Sequence, residues 1–112
     1  MRVNKELLKG TTAMVILTFL ERQPMYGYEM LAEIERSSSG VFQFKEGTLY
    51  PILHALESEG YVESYWSEKA SARKRKYYRV TKEGRSHLTL KRSEWVLFRS
   101  AVDRVVGEGG AS

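Results

Sequence analysis

Residues 46–60 read EGTLYPILHALESEG. Leu49, Ile52, Leu53 and Leu56 fall at i, i+3, i+4 and i+7, a single apolar stripe on a helix. The opposite face carries Gly47, Thr48, Tyr50, Pro51, His54 and Ala55, small or aromatic residues with no charge until Glu57. Pro51 is tolerated because it lies in the first turn, where backbone N–H groups lack intrahelical partners. Gly60 stops the helix. A helix anchored along one side can present its N-terminal end to another surface, and first-turn amides at the positive end of the helix dipole suit a phosphate backbone. This pattern predicts a DNA-recognition helix. An ordinary amphipathic core helix would carry the same stripe, so the flanking sequence has to decide.

Downstream, Tyr61-Val62-Glu63-Ser64-Tyr65-Trp66 is aromatic and β-branched, with Val62, Ser64 and Trp66 on one face. Lys76-Tyr77-Tyr78-Arg79-Val80-Thr81 is a second predicted strand. Between them, residues 67–75 hold Lys69, Arg73, Lys74 and Arg75, which makes a β-hairpin with a basic tip. Thr81 can cap a final helix running to about Val106, with Gly84 an odd choice for its first turn, and Gly107-Glu108-Gly109-Gly110 frays it. Residues 107–112 are expected to form a disordered tail.

Upstream, Thr11 or Thr12 caps a helix through Ala13-Met14-Val15-Ile16-Leu17-Thr18-Phe19-Leu20. It is apolar nearly all round and so is placed at the centre of the core. Gln23-Pro24 ends it. Tyr26 to Arg36 is a second helix with Met30, Leu31 and Ile34 inward, and Gly27 in its first turn permits close approach of another helix. Ser37 to Gly40 is a turn, and Val41-Phe42-Gln43-Phe44 alternates as a short extended piece. Residues 1–10 form a polar arm containing Leu7 and Leu8.

Composition narrows the class. The chain of 112 residues suits one domain, and its 42% hydrophobic content supports folding. It has no cysteine, which excludes disulfides and thiolate metal sites and suits a cytoplasmic protein. No apolar run is long enough to span a membrane. Residues 1–60 carry 6 basic and 8 acidic side chains, residues 61–92 carry 10 and 3, and residues 93–112 carry 2 and 3. The positive charge is concentrated on the hairpin and the start of the last helix, a footprint for a polyanion.

The predicted fold is therefore mainly α with a small β-hairpin. It is a winged helix-turn-helix over residues 1–81, with the wing at 61–81, followed by a C-terminal dimerisation helix over 82–106. In this arrangement Lys69, Arg73, Lys74, Arg75 and Lys76 find phosphates or the minor groove. Gly47, Thr48, Tyr50, Pro51 and His54 face the major groove of double-stranded operator DNA. Tyr50 offers a ring for a thymine methyl and a hydroxyl for a phosphate, Thr48 and its amide fix register, and His54 donates to a guanine edge.

These residues resemble the PadR-like transcriptional regulators. The likeness is carried by Tyr26-Gly27-Tyr28-Glu29, Glu46-Gly47-Thr48-Leu49-Tyr50-Pro51, Leu56-Glu57-Ser58-Glu59-Gly60, Arg75-Lys76-Tyr77-Tyr78-Arg79-Val80-Thr81 and Gly84. It covers about residues 10 to 106 and implies a homodimer, held by the C-terminal helix, that binds operator DNA as a repressor. The short tail resembles the compact subfamily. Ala72 before Arg73 and Ala55 in the recognition helix depart from the family's usual glycine and basic residue.

On the last helix, Leu88, Trp95 and Val102 recur every seven residues, with Phe98 and Val105 at the complementary spacing and Lys91 breaking the first such position. Two copies could pair along this stripe and present recognition helices to half-sites roughly 34 Å apart. Trp95 also resembles, by position, the tryptophan that compact multidrug-sensing members use to stack flat aromatic compounds, with Leu8, Met14 or Val15 completing the wall. A large interface anchor is the simpler role for Trp95. No enzymatic constellation is present: His54 and His87 stand 33 residues apart without a nucleophile motif or phosphate loop, and neither a cofactor nor a metal is implied. The competing class is a dimeric winged-helix interaction or ligand-binding module that does not read DNA specifically.

Overall fold

The computed structural model describes residues 11–67 and 74–107. Helices α1 (Thr12–Arg22), α2 (Gly27–Ser37), α3 (Glu46–Ser58) and α4 (Lys82–Val106) surround strands β1 (Met25–Tyr26), β2 (Val62–Ser67) and β3 (Arg75–Val80). No helix among the described residues is long and apolar enough to cross a membrane.

Helix α1 forms the centre of the core. Ile16, Leu17 and Leu20 are fully buried, and α1 packs against α2, α3, α4 and β3. Thr11 sits at its N-cap, with its carbonyl accepting from the Val15 amide at 3.0 Å. Met30 and Ile34 of α2, Leu49, Leu53 and Leu56 of α3, and Leu88 of α4 close the core around it. The predicted stripe on α3 thus lies against α1 and α2. The helix ends in a Schellman motif: Gly60 adopts φ 84°, its amide donates to the Glu57 carbonyl, and the Tyr61 amide donates to the Leu56 carbonyl.

The hairpin and the start of the second helix differ from expectation. The hairpin is part of a three-stranded antiparallel sheet of order β1-β3-β2, because Met25 and Tyr26 pair with Tyr78 and Tyr77. The second helix therefore starts at Gly27, with Tyr26 as its N-cap, and the Tyr26 amide donates to Glu29 Oε1 at 3.4 Å. Residues 41–44, expected as a short extended piece, precede α3 outside any helix or strand, and none of the described strands pairs with them. Phe42 and Phe44 instead stack at 6.0 Å, and Phe44 is buried.

In the wing, β2 and β3 pair from Val62↔Val80 to Ser67↔Arg75. The alternation turns Val62, Tyr78 and Val80 into the core. On the opposite face Tyr26, Tyr77 and Tyr65 line up, with an edge contact at 5.4 Å and a stacked one at 5.8 Å, capped by Arg75 over Tyr26 and Arg79 over Tyr65.

The base of the wing joins α3 to α4. The Thr81 hydroxyl accepts from the Gly84 amide at 3.0 Å and donates to the Gly60 carbonyl at 2.6 Å. Gly84 belongs there because a methyl group on it would run into the Tyr61 carbonyl. Leu88, expected at a dimer seam, is fully buried in this chain's own core. The heptad that places it with Trp95 also brings it to the face that packs on α1, and the core claims it. Gly107 caps α4 in the left-handed conformation. Of the expected tail, 108–112 lie outside the described residues.

Candidate nucleic-acid interface

The α3 surface away from the core exposes Gly47, Thr48, Pro51 and His54. Lys45 precedes it as N-cap residue and is also exposed. The Thr48 amide is not available to a phosphate, because it donates to the Lys45 carbonyl at 2.9 Å. What Thr48 presents is its side chain.

Tyr50 is half-buried. Its phenol lies against Gly27 so closely that a methyl group at Gly27 would overlap the hydroxyl. The close approach expected at Gly27 is therefore made by a side chain of α3 rather than by its backbone. Burial pushes the Tyr50 pKa up, and the Glu46 carboxylate pushes in the same direction. His54 sits one turn further on, with ring centroids 6.5 Å apart.

Across from this face stands the wing. Lys74 and Arg75 are exposed and Lys76 is half-exposed. Arg75 is held over the Tyr26 ring at 4.5 Å and the Lys76 ammonium over the Tyr78 ring at 5.7 Å, which orients both cations without neutralising them. Arg79, by contrast, is paired with Glu63 at 2.7 Å. Lys69 and Arg73 lie outside the described residues. Two exposed aromatics join this surface that were not among the expected DNA-facing residues, Tyr28 on α2 and Trp66 on β2. Trp66 shares strand parity with Val62, and nothing in that alternation reveals that the core ends before reaching it.

The far end of the molecule is different in character. From Ser93 onward α4 is almost entirely exposed, and the exposed residues include Trp95, Phe98, Val102 and Val105 together with Val96, Leu97 and Val106. Trp95 and Phe98 rings lie 6.1 Å apart. Beside them is an apolar hollow of about 330 Å³ between α1, α2 and α4. Met14, Val15 and Trp95 line it together with Phe19, Phe42 and Arg92, whereas Leu8 lies outside the described residues. Arg92 reaches Glu21 Oε1 at 2.9 Å at its edge. His87 is far from any such surface role: it stacks on Tyr61 at 4.1 Å.

A recognition helix beside a cation-bearing wing, on a three-helix core with an added C-terminal helix, defines a winged-helix DNA-binding regulator. Residues 16–90 match the model of the transcriptional regulator PadR-like family. The chain is similar to a solved transcriptional regulator from Clostridium thermocellum, with 32% identity, a TM-score of 0.84, and 89% of this chain and 97% of that one covered. It is similar to a PadR family transcriptional regulator from Eggerthella lenta at 32% identity and TM-score 0.80, covering 92% and 88%. A PadR family regulator from Clostridium difficile R20291 aligns at 35% identity and TM-score 0.76, covering 87% and 99%. The chain belongs to the PadR-like family of DNA-binding transcriptional regulators.

Proposed function

We propose that this regulator is a homodimeric, sequence-specific repressor whose grip on its operator is relieved by a small planar aromatic ligand. The observation that carries the dimer is the outer half of α4, a free-standing helix whose exposed side chains include Trp95, Phe98, Val102 and Val105. A single chain in water would leave that stripe uncovered, and a second copy covers it with the same stripe. Specific readout falls to Thr48, Pro51 and His54 on the open face of α3, with Gly47 allowing the helix start to approach the groove and Tyr50 donating at its edge. Lys74, Arg75 and Lys76, with Lys69 and Arg73, supply the contacts to phosphate.

The ligand reading is supported by the hollow at Trp95. It is apolar, it is bounded by an indole and two phenylalanines, and it adjoins the proposed seam. A flat ring stacked there would touch both α1 and α4 and so bias how the two DNA-binding units are spaced.

Fluorescence anisotropy with duplex from the protein's own upstream region, against scrambled duplex at two salt concentrations, tests the proposal. A preference of about tenfold or more with steep salt dependence is expected. Equal affinity for the two duplexes would refute specific readout. Tyr50→Ala should weaken operator binding by about 1–3 kcal/mol and leave the oligomeric state intact.

A further inference from the structure

A helix in the major groove and a wing directed at the minor groove must straddle one strand of the duplex, because that strand's sugar–phosphate backbone is what separates the grooves. Between α3 and the wing the structure has a second hollow of about 330 Å³, also walled by the start of α2. This is at the low end of the size that holds small organic groups, about 300 to 1,000 Å³. Its chemistry differs from that of the hollow at Trp95. Tyr28, Tyr50 and Trp66 contribute flat aromatic surface, Arg75 and Lys76 contribute charge, and no acidic side chain among the described residues lines it.

Trp66 is the informative residue. It lies opposite Lys76 on the sheet face whose inner members, Val62, Tyr78 and Val80, are buried. The core stops at Tyr78, so the Trp66–Lys76 pair overhangs the hollow and Trp66 is 61% exposed. Tyr28, on the α2 wall, is 70% exposed. An exposed indole paired with Lys76, with Arg75 also at the wall of the hollow, suits a unit that is apolar on one flank and anionic on the other.

We propose that this hollow seats one sugar–phosphate unit of duplex DNA, with the Trp66 indole against the deoxyribose and Lys76 and Arg75 at the phosphate. The assignment rests on duplex binding by α3 and the wing and adds to it a contact made whatever the base sequence. Trp66 is then a positioning residue: it sets the distance between recognition helix and wing along the backbone, and the bases are read elsewhere.

The chain has two tryptophans, so Trp95→Phe leaves Trp66 as the single indole reporter in the full-length protein. Acrylamide quenching of Trp66 is measured while a labelled duplex is followed by anisotropy in the same sample, with upstream and random sequences in turn. Saturation with either duplex is expected to shield Trp66 several-fold. In the otherwise unchanged chain, Trp66→Ala should weaken binding to both duplexes about tenfold, and Lys76→Gln should lower the salt slope by about one. Anisotropy that reports binding while Trp66 stays as accessible as before overturns the seat and leaves DNA binding standing. Absence of binding to any duplex overturns both. Equal shielding by a deoxynucleoside monophosphate at micromolar concentration, without duplex, assigns the hollow to a free nucleotide and overturns the duplex seat.

Discussion

Gly27 and Tyr50 meet where α2 and α3 touch, and that contact limits how closely the two helices pack. Gly27→Ala should destabilise the fold by about 1–3 kcal/mol through overpacking, as read from urea denaturation. In a Tyr50→Ala background the same change should cost much less, since the clashing phenol is gone. Equal costs in both backgrounds would mean that Gly27 is needed for some other reason. A pH effect belongs to the same residues. Burial is the main cause raising the pKa values of Tyr50 and Tyr78 above the ordinary 10.0. Above pH 10 the unfolded chain releases these protons while the folded chain still holds them. Their contribution is whole below pH 10 and is lost as pH climbs through the raised values, so the denaturation midpoint should fall there. Tyr50→Phe with Tyr78→Phe should flatten that part of the profile. Sequence alone exposed Gly27 as a residue of close approach, because glycine in a helix's first turn lacks a propensity reason. It could not name the partner, which lies 23 residues away and is set by packing.

At the scale of elements, periodicity and turn chemistry carry most of what the sequence makes legible. The α3 stripe, its stop at Gly60 and the two wing strands follow from local pattern, since side-chain spacing and a left-handed glycine are local causes. Strand β1 is different. Two residues have no period, and Met25–Tyr26 is extended because β3 offers it hydrogen bonds. Residues 41–44 show the converse, a strand-like alternation without a partner strand. The junction of α3, wing and α4 was half legible: Thr81 reads as a cap, but its second bond to Gly60 and the seat of Gly84 on Tyr61 depend on two distant segments meeting. Thr81→Ala should therefore cost more than an ordinary cap, about 1–2 kcal/mol, and lower the melting temperature by several degrees. A loss of only a few tenths would mean that water replaces both bonds.

For the whole molecule, the question is how a surface at one end informs the other. Helix α4 is half core and half outrigger: Leu88 and the Arg92–Glu21 pair fasten its first half to α1, while its second half stands exposed. The heptad could not separate these halves, because a core face and a coiled-coil seam share one period. In the proposed dimer, the rigid first half transmits the seam's geometry to α1 and onward to α2 and α3, so spacing at the seam becomes spacing between recognition helices. Phe98→Glu combined with Val105→Glu places charges on the exposed stripe without touching Leu88 or the DNA-facing surface. Sedimentation should then show a monomer with an unchanged circular dichroism spectrum. Operator affinity should fall by about 10²–10⁴, because the second half-site no longer binds as part of the same complex. Affinity for random duplex should fall far less. A variant that remains dimeric would move the seam off this stripe, and a monomer with full operator affinity would show that one wing and one helix suffice for recognition.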